Sequence, residues 1–217
     1  MKEEGSSGTH VGGVIFFLNN LPFDLDSDSE DDFPLTDVRN RAYRVENLAV
    51  TYRWPLERIL SSKLNQFGFI RAIYVNFGPK GYYELNPNTK PVTRPVVFEE
   101  QLRTLFEAGI VSNPDNREVV WQKITDLSSL VSNLPANTRT IGCLHGPAAH
   151  SQELMYFRDY IRAASDEQIY VFVVGQIDTQ DVQAYVNDFV KVSDYDLIAC
   201  YCLDDVISAV EKKWGLS

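Results

Sequence analysis

Residues 170–181 read YVFVVGQIDTQD, an unbroken apolar run that ends at a glycine and then turns polar. A short run of β-branched and aromatic residues is typical of a strand that is buried on both faces of a parallel sheet. In open α/β sheets, ligands bind outside the carboxyl ends of such strands. The stretch therefore predicts a buried strand over 168–175, followed directly by a candidate ligand-binding loop.

Strand and helix patterns alternate along the rest of the chain. The segments that predict strands are short apolar or alternating runs bounded by turn residues: 14–20, 71–77, 81–85, 118–124, 139–145 and a short strand within 188–200. The segments that predict helices carry apolar residues at helical spacing: 55–66, 97–110, 151–164 and 202–214. Pro55 is expected in the first turn of its helix, where a missing N–H is tolerated. This alternation predicts an α/β fold with a parallel sheet covered by helices on both faces.

The composition limits the possible functions. The chain has 217 residues, three cysteines and a formal net charge of −10. A small, odd number of cysteines favours a reducing compartment over a disulfide framework. A dedicated nucleic-acid binder usually carries a basic excess, so any RNA contact here needs a local basic patch or the surface of a partner. Because no apolar run could span a membrane and no secretory signal pattern is present, we expect a soluble, intracellular protein.

Two segments differ from this pattern in composition. Residues 1–12 are rich in glycine and serine and are predicted to be disordered. Residues 24–37 contain an acidic low-complexity run, which predicts a solvated surface loop or, alternatively, an acidic arm that binds a basic partner. We expect the remainder, 13–217, to form a single domain.

Several familiar catalytic motifs are missing from the sequence. The chain has no G-x-x-x-x-G-K-[ST], no G-x-G-x-x-G after a strand and no G-x-S-x-G, which disfavours P-loop NTPases, the usual dinucleotide enzymes and α/β-hydrolases. Cys143, His145 and His150 are close in sequence, but no second ligand pair is nearby, so no metal is predicted. The candidate ligand loops follow three predicted strands: GCLHGPA (142–148), VVGQIDTQ (173–180) and VSDYDLIAC (192–200).

Seven pieces of the chain resemble, in order, the rRNA pseudouridine methyltransferases of the nucleolar essential protein family, which are SPOUT-class enzymes of small-subunit ribosome biogenesis. The pieces are VIFFLNN (14–20), ILSSKLNQFG (59–68), IYVNFGPKGYYELNPNTK (73–90), IGCLHG (141–146), VFVVGQID (171–178), VSDYDL (192–197) and AVEKKWGL (209–216). The resemblance implies a SPOUT-type, mostly parallel sheet with helices on both faces and a trefoil knot over about 138–217. It also implies S-adenosylmethionine bound in the knot, and a homodimer or a heterodimer with a paralogue.

The resemblance further implies where the cofactor would bind, if binding is retained. The residues at the matching positions are Gly175, Gln176, Gln180, Val192, Asp194, Tyr195 and Leu197. The family's V-V-G-A-x-A-H-G is VVGQIDTQ here, so that its second glycine becomes Gln180 and Asp178 adds a negative charge. The family's N-Y-P-L-S is DYDLI, which is more acidic. These departures predict that S-adenosylmethionine binding is weakened or lost.

The family's Arg-Pro-Asp motif, which serves RNA binding and catalysis, aligns here with Leu48, Ala49 and Val50. An apolar triplet can replace neither the arginine nor the aspartate, so no catalytic residue is predicted. The RNA contacts would be made by the remaining cations, namely Arg53, Lys90 and Arg94.

Together these features predict a divergent, non-catalytic SPOUT methyltransferase-like factor, a pseudoenzyme of small ribosomal subunit biogenesis. Its partners would be rRNA and ribosome assembly factors or ribosomal proteins. Two alternatives stay open at this point: an active S-adenosylmethionine-dependent rRNA pseudouridine methyltransferase, and a protein-interaction scaffold without RNA binding. The resemblance implies the nucleolus, and a mitochondrial ribosome is the alternative location.

Overall fold

The computed structural model describes residues 12–22, 43–150, 153–177 and 180–216. The predicted acidic loop at 24–37 lies outside the described residues, as does all but Gly12 of the predicted disordered segment. The strands form one sheet: β1 Gly13–Asn19, β2 Ile70–Asn76, β3 Tyr82–Leu85, β4 Ile110–Ser112, β5 Val119–Ile124, β6 Thr138–His145, β7 Ile169–Gly175 and β8 Asp188–Ser193. The helices are α1 Val45–Ser61, α2 Lys63–Gln66, α3 Pro95–Ala108, α4 Leu127–Ser132, α5 Pro147–His150, α6 Phe157–Ala163, α7 Gln180–Gln183 and α8 Ala199–Lys213.

The sheet has the strand order β4-β5-β3-β2-β1-β7-β6-β8. Strand β1 pairs in parallel with both β2 and β7, and β6 pairs in parallel with both β7 and β8. Strands β3, β5 and β4 extend the other end of the sheet in antiparallel pairs. Strand β7 is buried along nearly its whole length, as its apolar run predicts. The predicted α/β fold is confirmed, but the sheet is mixed, since four of its seven strand pairs are parallel and three are antiparallel.

Each face of the sheet buries its own apolar core. The first core joins β1, β2, β6 and β7 to the helices α1, α3, α6 and α8, and Phe172 at its centre lies 6.0 Å from Phe16 and 5.3 Å from Phe157 between ring centroids. The second core contains side chains from the short helices α4 and α7, such as Leu127 and Val182. Helices on both faces are therefore confirmed. None of the described helices combines the length and apolarity needed to cross a bilayer.

Two predicted helices were wrong in their starting points. Helix α1 begins at Val45, well before the predicted start at Pro55, which lies inside the helix. Its apolar stripe continues upstream through Leu48 and Tyr52, and packing of that stripe against the sheet offsets the roughly 3 kcal/mol that an interior proline costs.

The predicted helix over 151–164 begins only at Phe157, where α6 starts. Residues 153–156 are not helical, and Tyr156 forms a parallel bridge with Lys191 at the outer edge of β8. The main-chain N–H of Lys191 donates to the carbonyl of Met155 at 2.9 Å. Pairing with a strand distant in sequence therefore overrides the helical pattern of this segment.

Candidate functional site

The carboxyl ends of β1, β2 and β7 meet at a buried polar cluster. Asn19 and Asn76, which close β1 and β2, are only 1% and 9% exposed. The Nδ2 of Asn76 donates to the Oδ1 of Asn19 at 2.8 Å, and the Nδ2 of Asn19 donates to the main-chain oxygen of Gln176. Gly78 N donates to the Oδ1 of Asn76 at 2.9 Å. These hydrogen bonds satisfy the amides that burial removes from water, and they attach the loop after β7 to the first two strands.

Gly175 ends β7 and lies opposite Asn19 at the end of β1. Its φ is +116°, and a Cβ at this position would overlap the main-chain oxygen of Asn19. The next residue, Gln176, donates its N–H to that same oxygen at 2.8 Å and accepts a hydrogen bond from the side chain of Asn20. The fold itself therefore requires this glycine. That Gly175 and Gln176 hold a cofactor stays a prediction.

The loops after β6 and β8 close on each other. Gly146 N donates to the carbonyl of Ser193 at 3.3 Å, and a Cβ on Gly146 would lie 3.0 Å from the Cα of Asp196. The Nδ1 of His145 lies 3.2 Å from the N–H of Leu197 and 3.1 Å from the Oδ1 of Asp196. A single ring nitrogen either accepts from the first or donates to the second, depending on the tautomer and protonation state. In both cases the imidazole joins the two loops.

The other predicted cofactor residues of the β8 loop are differently placed. Asp194 pairs with Lys191 at 2.9 Å and accepts a hydrogen bond from the hydroxyl of Tyr156. The hydrogen bond that each of them makes to Asp194 raises the pKa of the Lys191 ammonium and the pKa of the Tyr156 hydroxyl. Val192 packs at the margin of the first core, whereas Tyr195 is 79% exposed. Gln180 lies in α7, and its side chain and residue Asp178 are outside what the structure describes.

A cleft of about 540 Å³ opens between the first half of α1 and the start of α8. Pocket volumes of this order are typical of small-molecule sites. Among the predicted cofactor residues with described side chains, Leu197 is the one that lines it, together with His145 and Asp196. Val50 lines the opposite wall, while Leu48 and Ala49 are buried in the first core. The apolar triplet therefore places no charged group in the cleft.

The three predicted RNA contacts lie near one another on the surface formed by α1 and the loop before α3. Lys90 and Arg94 are exposed. The side chain of Arg53 is only 13% exposed, and its Nη1 lies 3.1 Å from both the carboxylate of Glu57 and the carbonyl of Thr93. Arg53 therefore joins α1 to this loop. A phosphate contact by Arg53 would compete with those two bonds.

Sequence reasoning missed the asparagine cluster and the contact between His145 and Asp196. A signal for the first was present, because two predicted strands, 14–20 and 71–77, both have asparagine in their next-to-last position, at Asn19 and Asn76. The second depends on how the β6 and β8 loops meet and has no local signal. In the described parts of the chain, no group of three His, Cys, Asp or Glu side chains is arranged to hold a metal ion.

No protein-family model matches this sequence, and no curated protein is similar to it in sequence. The structure does match a solved one, the crystal structure of Archaeoglobus fulgidus Nep1 bound to S-adenosylhomocysteine. The TM-score is 0.59 at 13% sequence identity, and the match covers 94% of this chain and 99% of that chain. Nep1 is a SPOUT rRNA pseudouridine methyltransferase. At this identity the likeness shows the fold, and the chain has a SPOUT-like α/β fold.

Proposed function

We propose that this protein is a methyltransferase-like factor of small ribosomal subunit biogenesis that has kept the SPOUT fold without methyl transfer. The proposal rests on the hydrogen bonds that the three candidate loops, those after β6, β7 and β8, make within the protein. The N–H groups of Gly146, Gln176 and Leu197 lie within hydrogen-bond reach of protein acceptors. A cofactor that used these donors would displace protein hydrogen bonds, each worth about 1 kcal/mol net. Cofactor binding through these donors would have to replace such bonds, which supports weakened or lost S-adenosylmethionine binding.

The side chains around the cleft support the same conclusion about catalysis. Methyl transfer depends mainly on positioning the methyl donor in line with the nucleophile. The segment that matches the family's Arg-Pro-Asp motif contributes only the apolar side chain of Val50 to the cleft. His145 and Asp196 also line it, but they contact each other and the β8 loop. The side chains that line the cleft therefore support a protein that does not catalyse methyl transfer.

The trefoil knot over about 138–217 is part of this proposal, and the course of the chain around β8 supports it. One edge of β8 pairs with β6, and Tyr156 pairs with Lys191 at the other edge. The chain leaves β6 on one side of β8, and residues 153–156 lie on the other side of β8 before α6 leads back to β7. A strand enclosed by an earlier loop is what a knot of this class requires. We propose a dimer through this segment, with a second copy or with a paralogue.

In the ribosome precursor, the protein would contact rRNA, assembly factors or ribosomal proteins. Exposed Lys90 and Arg94 support a local phosphate contact. The net charge of −10 opposes extensive RNA binding, so we propose that most of the contacts are made with proteins. We propose that the protein is located where these partners assemble, which is either the nucleolus or the mitochondrion.

Depletion of the protein from its cells tests this function. Small-subunit levels and the methylated pseudouridines of rRNA are measured in the same cells, the latter by mass spectrometry. We expect small subunits to fall and their precursors to accumulate, while every methylated pseudouridine is retained. Loss of one such methylation would establish the active methyltransferase instead. Unchanged subunit levels would contradict a role in assembly altogether.

A further inference from the structure

A groove of about 550 Å³ lies between helices α6 and α8. At one end, the guanidinium of Arg158 in α6 lies 2.8 Å from the carboxylate of Asp205 in α8. At the other end, the Nζ of Lys213 donates to the carbonyl of Ala164, the residue after α6, at 2.6 Å. We call the space between these two contacts the α6–α8 groove. Its lining residues are Arg158, Ile161, Arg162, Asp166, Asp205, Ser208, Ala209, Lys212 and Lys213.

This groove is a basic surface on an acidic protein. Four of its nine lining residues are cations and two are carboxylates, which gives the lining a net charge of +2, whereas the whole chain carries −10. The field of an acidic protein repels phosphates in general, so that a phosphate contact needs a local basic patch. The groove supplies such a patch.

The cations of the groove are open to solvent and to a ligand. The side chains of Arg158 and Arg162 are 71% and 79% exposed, and each makes one ion pair, with Asp205 and with Asp159 respectively. Exposed ion pairs are worth at most about 1 kcal/mol, and a guanidinium has five N–H donors, so both arginines can bind a phosphate as well. Lys212 is exposed, and none of the carboxylates in the described residues pairs with it.

The apolar lining of the groove favours a nucleic acid over a protein as its occupant. Protein interfaces are anchored by large apolar and aromatic side chains. None of the large exposed hydrophobic side chains in the described residues lines this groove, where the apolar residues are Ile161, which is 2% exposed, and Ala209. Phosphate contacts need no such anchor. The groove also lacks an aromatic ring on which the bases of a single strand could stack, which favours a double helix.

We propose that the α6–α8 groove binds the backbone phosphates of an RNA helix, with Arg162 and Lys212 as its most accessible cations. It is a separate site from the surface of Arg53, Lys90 and Arg94, none of which lines it. Phosphate contacts carry no sequence information and depend steeply on salt. The inference rests on the proposed function only for the identity of the RNA as rRNA. Failure of the binding measured below would overturn this inference alone, whereas the depletion experiment tests the role in assembly.

Fluorescence anisotropy of the purified full-length protein tests the groove at about 50 mM salt. The probes are two RNA hairpins of about 16 base pairs with different stem sequences, an unstructured RNA strand with the same number of phosphates, and polyglutamate of the same charge. We expect the two hairpins to bind equally, and several-fold more tightly than the other two probes. If polyglutamate or the single strand binds as tightly as the hairpins, or if the hairpins do not bind, the proposal is overturned.

A charge-matched pair of double variants locates the contact. Arg162→Gln/Lys212→Gln changes the groove, and Arg117→Gln/Lys123→Gln removes two exposed cations toward the other end of the sheet. We expect the groove variant to weaken hairpin binding at least about tenfold, and to lower the slope of log K against log salt by about 2, since two phosphate contacts are lost. The control variant should weaken binding less than about threefold. Equal weakening would overturn the proposal, because general charge would then explain both results.

The oligomeric state of the same variants shows whether the groove is instead an interface between copies of the chain. The substituted side chains are all exposed, so we expect both variants to keep the fold in circular dichroism and the wild-type mass in sedimentation. A change of mass in the groove variant alone would overturn the proposal, because the cations would then hold a second copy.

Discussion

Replacing Tyr52 with phenylalanine should loosen α1, and with it one wall of the cleft, from the ends of β1 and β2. The Tyr52 side chain is 1% exposed; its hydroxyl donates to the carbonyl of Asn76 at 2.8 Å and accepts from the N–H of Leu21 at 2.9 Å. Burial raises the pKa of this hydroxyl well above its ordinary range, so it is uncharged at all working pH values.

The size of the effect follows from the partners that are left behind. The carbonyl of Asn76 keeps a second hydrogen bond from the N–H of Asn20 at 3.0 Å. Leu21 is 6% exposed, and its N–H loses the hydroxyl acceptor. A buried donor left without its acceptor costs about 1–3 kcal/mol, so we expect the free energy of unfolding to fall by about 2 kcal/mol. For a domain of this size, such a loss lowers Tm by about 4–8 °C.

Urea unfolding followed by circular dichroism measures the change in both the Tyr52→Phe variant and a control. The control is Tyr195→Phe, at a residue 79% exposed, which should stay within about 0.5 kcal/mol of the wild type. If Tyr52→Phe also stays within that range, the hydroxyl does not hold α1 against the strand ends. The position of the cleft wall derived from it would then be wrong.

Two further substitutions probe the end of β7 and the pairing of β6 with β8. Gly175→Ala places a Cβ against the main-chain oxygen of Asn19 at a φ of +116°, so we expect the free energy of unfolding to fall by more than about 3 kcal/mol. The control Gly68→Ala, at a φ of +74° with open space around it, should lose only about 1 kcal/mol. Equal losses of the two variants in thermal melts would contradict the close approach of Gly175 to Asn19. The hydrogen bond from Arg139 holds the pKa of Asp188 below its ordinary value, so the ionised carboxylate stabilises the fold above about pH 4 and this stability is lost as the pH falls further. Asp188→Asn should therefore be less stable than the wild type at neutral pH, with a gap that narrows in acid; a gap that is constant with pH in denaturant titrations would refute this reading.

Local sequence was sufficient wherever burial on both faces decided the structure. The run from Tyr170 to Val174 could only form a central strand, and β7 is that strand. Local sequence failed at Pro55, because the packing of Leu48 and Tyr52 against the sheet outweighs the local penalty of the proline. It failed again before Phe157, where the unpaired edge of β8 draws the chain into strand pairing.

The candidate loops were found from sequence because parallel strands bring their carboxyl ends to one edge of the sheet. Their partners could not be found in this way. The contact of Gly175 with Asn19 depends on the register of β1 against β7, and that of His145 with Leu197 on the meeting of two loops. Both are settled by packing between segments far apart in the sequence. The similarity to a solved structure at 13% identity shows the arrangement of these segments, but it does not show what the side chains in the loops do.

We propose that the protein keeps the SPOUT-like fold, while the main-chain N–H groups of the three candidate loops make hydrogen bonds within the protein and not to a cofactor. Isothermal titration calorimetry of the purified protein with S-adenosylmethionine and S-adenosylhomocysteine tests it most directly. We predict dissociation constants of at least about 0.1 mM, because a ligand that used the N–H groups of Gly146, Gln176 and Leu197 would compete with the protein acceptors within their reach, at about 1 kcal/mol for each bond. Micromolar binding of either compound would contradict this account and favour an active methyltransferase.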